Sequence, residues 1–282
     1  MAQGKLRVAV GDSALRVEHD RLFRVALRRG KDDNFLESRD KISGTYTDRA
    51  LAAARSLWSR RLIQEHQSAA VFARLLPQLI EAEASLEFKT TVLRMSMDEL
   101  HHAAICGRVL DALSAAPEIE TELATEALPE HADASPLERA LRNVMFVSCL
   151  SETYAVAITA EEKQNVREPI ISRAIERIHA DESLHARFGW HYLAEYIPHL
   201  SPEALQRTNA YLRVAFGYLQ AKELEAMPLA GSFPQALIDE CAALGVSDTN
   251  DARSLFFETV THVIIPELEK LGLDATTAWR NR

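Results

Sequence analysis

The chain has 282 residues, 47% hydrophobic and 26% charged, enough for one large domain or two small ones with a real core. Its formal net charge of −9 argues against a nucleic-acid or anionic-membrane partner. Cys106, Cys149 and Cys241 are odd in number and far apart, forming neither a disulfide ladder nor a Cys-x-x-Cys knuckle, which favours a reducing compartment.

The first residues, Met-Ala-Gln-Gly-Lys-Leu-Arg, lack the apolar stretch of a signal peptide. No apolar run approaches the ~20 residues that cross a bilayer, so a cytoplasmic protein is expected. Residues 1–45 read as an N-terminal extension. Leu15, Phe23, Val25 and Leu27 allow a short helix there, ended by Gly30, and residues 6–10 are the one weak strand candidate, stopped by Gly11.

Residues 46–282 read as a single helical domain. From Asp48 to about Leu76 glycine is absent, and Leu51, Leu62, Ala69, Val71 and Phe72 contribute to a wide apolar face. Pro77 is expected to end or kink this helix. A second helix spans about 86–113. Residues 114–135, with Pro117 and Pro129, break the periodicity as a long crossover. Ser135-Pro136 and Ser201-Pro202 are matched start signals, a capping hydroxyl followed by proline at the first helical position. They open helices reaching about Gln164 and Ala226. Between these two a fourth helix runs from Pro169 to Tyr196, and two more, about 234–244 and 250–271, complete the chain. The expected fold is all-α: a four-helix bundle over 48–196 with extra terminal helices, 201–271 among them.

Within the second helix lies Met95–Cys106, containing Asp98-Glu99-Leu100-His101-His102; Asp181-Glu182-Ser183-Leu184-His185 repeats the pattern in the fourth. Three positions apart, each Glu and His share one helix face. Glu65 on the first helix and Glu152 on the third complete the set. Glu65 and Glu99 are 34 positions apart and Glu152 and Glu182 are 30, so helical hairpins can bring each pair level. Four glutamates facing one core would repel one another and lose hydration, which is hard to justify as packing. Four carboxylates instead balance two divalent ions, and hard oxygen with imidazole nitrogen suits iron or manganese. Alone, Glu65 or Glu152 would read as a solvated charge; the doubled motif changes that.

One turn beyond the ligands, Ala69, Ala103, Val156 and Ala186 are expected to leave space near the metals. His179, three residues before Glu182, is a candidate seventh ligand or a group behind the ligands. His66 and His101 are rotated by about 100° from their neighbours and are expected off the site. Cys106 and Cys149 read as small core residues.

A Glu from each of two helices plus a Glu-x-x-His from each of two others resembles the ferritin-like di-iron carboxylate superfamily, over about residues 48–196. The resemblance implies that Asp98 supports His185 and Asp181 supports His102, crossing between helices. Within the superfamily, ferritins lack such long extensions and rubrerythrins carry a Cys-x-x-Cys module absent here. Cys106 stands where the ribonucleotide reductase small subunit keeps its radical tyrosine. The pattern is most similar to the arylamine N-oxygenases, with aldehyde-deformylating oxygenase a second relative. This implies a dinuclear Fe/Fe or Mn/Fe oxygenase that activates O2 through a peroxo intermediate to N-oxygenate or hydroxylate a small organic substrate. No Gly-rich flavin or nicotinamide motif is visible, so an external reductase is expected as electron donor, and a homodimer is allowed. The alternatives are a ferroxidase or iron-handling protein and a structural helical protein with an incidental metal.

Overall fold

The first bundle helix, α1 (Asp48–Glu81), starts where the Thr47 hydroxyl accepts the Ala50 N–H at 3.3 Å. The computed structural model describes residues 5–8, 35–116, 119–122, 127–228, 231 and 233–282. The short helix expected at 15–27 lies outside these residues. Helix α1 continues through Pro77 to Glu81, beyond the boundary near Leu76 expected from the sequence. Pro77 forfeits only its own bond to the Ala73 carbonyl, and one missing bond so near the terminus is tolerated while Leu75 and Leu79 are fully buried on either side.

A four-residue connection turns the chain into α2 (Leu86–Ala112), antiparallel to α1. The third bundle helix is one rod in three parts: α3 (Pro136–Val144), a π-helical segment (Met145–Ser151) and α4 (Glu152–Asn165). The sequence predicted an uninterrupted α-helix there. A π segment widens the turn by one residue and leaves no composition signal, because its φ and ψ stay near helical values. Helix α5 (Pro169–Tyr196) closes the four-helix bundle.

Beyond it, α6 (Pro202–Ala226), α7 (Gln235–Ala243), α8 (Thr249–Thr259), a second π segment (Val260–Ile264), α9 (Ile265–Lys270) and α10 (Ala275–Arg280) pack outside the bundle. The last predicted helix is therefore split, stops at Lys270, and is followed by a short helix that the sequence reading did not assign. Among the described residues the fold remains all-α apart from one ribbon. Strand β1 (Lys5–Val8) pairs antiparallel with β2 (Ile119–Glu122), Lys5 opposite Glu122 and Val8 opposite Ile119. No hairpin signal announces it, because its partners lie more than a hundred residues apart.

Residues 35–46 are tied to the bundle. Phe35 is buried beside Trp58 and Leu62. Glu168 accepts the backbone N–H groups of Ser43 at 2.8 Å and Gly44 at 2.6 Å and the Tyr46 hydroxyl at 2.9 Å. A Cβ at Gly44 would sit 2.8 Å from the same carboxylate, which is why glycine stands there. Among the described residues Pro136–Asn165 is long and apolar enough to span a membrane by composition, but most of it is buried inside the fold as a core helix. The sequence reading missed this stretch.

Two apolar clusters fill the bundle, one containing Trp58, Leu62, Ile105 and Ile178, the other Phe72, Met95, Leu150 and Phe188. On each ligand-bearing helix a candidate ligand lies between residues of the two clusters or next to one of them. The six residues thus form a polar layer between dry caps, each fully buried leucine or phenylalanine contributing roughly 1.5–3 kcal/mol. Gly189 of α5 lies against the first π segment: an added Cβ would come within 2.6 Å of Ser148 Cβ and 2.9 Å of the Cys149 backbone nitrogen. Gly189→Ala is expected to destabilise the protein by about 1–3 kcal/mol, read as a lower denaturant midpoint, because backbone cannot swing aside.

Candidate metal centre

Glu65 comes from α1, Glu99 and His102 from α2, Glu152 from the first residue of α4, and Glu182 and His185 from α5; all six are buried. Their donor atoms converge in two groups. Glu65, Glu99, His102 and Glu182 form one, and Glu99, Glu152, Glu182 and His185 the other, with the atoms of each group within 4.8 Å of one another. Glu99 and Glu182 belong to both.

His102 Nδ1 stands 3.3 Å from Glu65 Oε2 and 3.4 Å from Glu182 Oε1. His185 Nδ1 lies 3.0 Å from both Glu99 Oε1 and Glu182 Oε2. The opposite ring nitrogens face aspartates on the neighbouring helix: His102 Nε2 is 3.4 Å from Asp181 Oδ2, and His185 Nε2 is 3.6 Å from Asp98 Oδ2. Asp98 is itself anchored by Arg94 Nε at 2.7 Å. The His102 ring is therefore oriented from behind by Asp181, while Asp98 stands behind the His185 ring without a hydrogen bond, and each Nδ1 is turned to the glutamates.

The electrostatics are those of four acids crowded out of water. Burial, then the charge of Glu182, pushes the Glu99 carboxyl up to about 8. Burial and the charges of Glu182 and Glu99 likewise raise Glu152. Glu182 takes the charged form: burial opposes this, but His185 and His102 overcome it and hold the group at about 2. Burial would neutralise both histidines, yet Asp181 and Glu65 raise His102, and Glu182 and Asp98 raise His185. In this form two imidazolium protons carry the positive charge of the cluster.

The residues fit a pair of metal ions on one observation in particular. His102 Nδ1 and Glu99 Oε1 are buried and make no hydrogen bond, although carboxylates surround the first and an imidazole faces the second. Such groups are ordinarily paired in a folded protein. Carboxylate oxygen and imidazole nitrogen are the donors that iron and manganese take, and the two overlapping groups offer room for two ions with Glu99 and Glu182 common to both.

The other histidines fall elsewhere. His179 is half-buried, with Nδ1 3.0 Å from Thr159 Oγ1, and belongs to neither group. His66 and His101 are in neither group, and burial lowers His101 to about 4. Cys106 is fully buried in the Trp58 cluster and Cys149 in the Phe72 cluster.

A cavity of about 360 Å³ opens against the layer, reaching Glu65, Glu99, Glu152 and Glu182. A second, of about 330 Å³ and mostly apolar, is lined by Leu128, Phe146, Val147, Tyr211 and Tyr218. Ser68, Val71, Ser151, Glu152 and Lys222 line both, so the two spaces adjoin. The small residues expected near the metals are not this wall: Ala69, Ala103, Val156 and Ala186 are absent from it. The space lies on the flank between α1, α4 and α6, so residues three after a ligand, Ser68 and Ala155, face it rather than those four after.

Sequence reasoning missed several wall residues. Arg61 is one turn before Glu65 and could have been found from that spacing. It donates to Glu162 Oε1 at 2.7 Å, and Glu162 is a buried acid near the end of the third helix. Lys222 and Glu223 come from α6, and no local pattern connects them to the motifs.

The fold and the cluster together define a ferritin-like helical bundle with a buried glutamate–histidine centre. Neither a family model nor a curated protein sequence matches the chain. Among solved structures, a Synechococcus protein described as "Protein 19 with aldehyde deformylating oxidase activity" superimposes with a TM-score of 0.55. It is 16% identical and covers 83% of this chain and 98% of its own.

Proposed function

We propose that the protein is a dinuclear non-haem metal oxygenase acting on a small organic substrate, by hydroxylation or N-oxygenation. The observation that carries this reading is the pair of adjoining cavities, which lead from the Glu65 and Glu152 side of the centre into an apolar space. An iron-storage site has no use for such a space. Two iron ions, or manganese with iron, would supply the electrons that activate O2 when bound. Glu65 and His102 would hold one ion, Glu152 and His185 the other, and Glu99 and Glu182 both. Asp181 fixes the His102 ring and Asp98 stands close behind that of His185, so that the ligands would need little rearrangement on binding. The apolar walls keep water from the reacting groups and give the substrate body its place. A separate reductase would return the electrons.

The test is a single turnover of reduced, metal-loaded protein with ¹⁸O-labelled O2 across a panel of small apolar amines, acids and aldehydes. An oxygenase is expected to consume O2 faster with one of these compounds and to place label in it. Equal O2 consumption with every compound, with ferric iron as the sole product, would instead make it a ferroxidase. Aldehyde deformylation is the second reading, favoured by the description of the Synechococcus protein, and a shortened carbon skeleton in the product would distinguish it.

A further inference from the structure

Arg61 lines the cavity beside the centre, and its side chain is held on two sides. Nη2 donates to Glu162 Oε1 at 2.7 Å, and the guanidinium carbon lies 5.0 Å from the Trp58 ring centroid. Only 12% of the side chain is exposed. The remaining terminal nitrogen, Nη1, is buried and has no hydrogen-bond partner, and Glu162 Oε2 has none either. An arginine facing a carboxylate commonly uses both nitrogens in a fork; this one uses half of it. A buried charged donor left unmade is costly, so a guanidinium that lines the cavity and keeps one donor spare is a group prepared for an acceptor.

We propose that Arg61 binds the carboxylate of the substrate, which makes the substrate class of this centre an apolar monocarboxylic acid. The carboxylate sits at Arg61, and the apolar body passes Glu65 and Glu152 towards Val71 and Phe146. This rests on the oxygenase reading above. The charges on the wall agree: with the four ligand glutamates balanced by two divalent ions, Arg61 and Lys222 are the cations facing the cavity and Glu223 the other acid. The planar fork of arginine also matches a carboxylate better than an ammonium does.

The test is calorimetric titration of the metal-loaded full chain with 4-phenylbutanoate and with its neutral counterpart, 4-phenylbutan-1-ol. The acid is expected to bind about tenfold more tightly than the alcohol. Arg61→Gln should abolish that preference while leaving alcohol binding and metal content unchanged. Glu162→Gln, which removes the competing carboxylate, should strengthen acid binding further. Equal binding of acid and alcohol by the wild type, or an acid preference that survives Arg61→Gln, would overturn the proposal. If Arg61→Gln does not fold, an unchanged acid affinity in Glu162→Gln overturns it alone. Metal content is measured on the same samples, so a wild-type protein that holds no metal would sink the oxygenase reading instead.

Discussion

Glu99→Ala and Glu182→Ala are each expected to reduce metal content from about two ions per chain to near none, whereas Glu65→Ala and Glu152→Ala should each retain about one. The difference follows from membership. Glu99 and Glu182 belong to both donor groups, while Glu65 with His102 serves one and Glu152 with His185 the other. A generic loss of folding would lower all four variants alike. Elemental analysis after reconstitution and gel filtration decides the matter, with circular dichroism as the folding control. Two ions retained in Glu99→Ala or Glu182→Ala would remove the basis for a shared centre.

Stripping the metals is expected to lower the melting temperature by on the order of 10 °C near neutral pH, since a ligand at a thousandfold excess over its dissociation constant contributes about 4 kcal/mol. The metal-free protein should also become less stable as pH rises. Glu99 titrates near 8 in the folded protein against 4.5 for an ordinary glutamate, so across that window the folded state holds a proton the unfolded state has lost, and stability falls with pH. His102 and His185, raised by their carboxylate neighbours, act in the same direction: their contribution is full below the ordinary imidazole value and lost as pH climbs through the folded one. Glu182, held at about 2, contributes above 4.5 and is lost only as pH falls towards 2. Metal affinity runs the other way, because ligands must shed their protons to bind. The gap between loaded and stripped melting temperatures should therefore widen from about pH 5.5 to 8.5. Parallel curves would contradict this.

The convergence of these six side chains was legible because Glu-x-x-His is a local, helix-periodic motif, and two copies with matched upstream glutamates leave few other uses for those residues. Helix starts at Asp48, Pro136, Pro169 and Pro202 were legible for a similar reason, since capping chemistry is written within three or four residues. What was not legible is tertiary or conformational. The π segment before Glu152 depends on packing against Gly189, which no window of sequence around Glu152 reveals. The end of α1 was set a few residues early because the rule for helix interiors was applied to a terminus held by buried leucines. The small residues expected beside the metals were misplaced because the space opens on the face three residues after a ligand, towards α6, and Arg61 was passed over because charge alone reads as surface.

Helix α6 thus has a consequence for how such a protein can change over generations. Lys222, Glu223, Tyr211 and Tyr218 shape the adjoining spaces, yet none of them belongs to either donor group. Mutation along this one segment can redraw these spaces while the six converging side chains stay in place. On the function proposed above, selection acts on appetite and on reactivity separately, and lineages with the same six donors diverge in diet by drifting in a single outer helix.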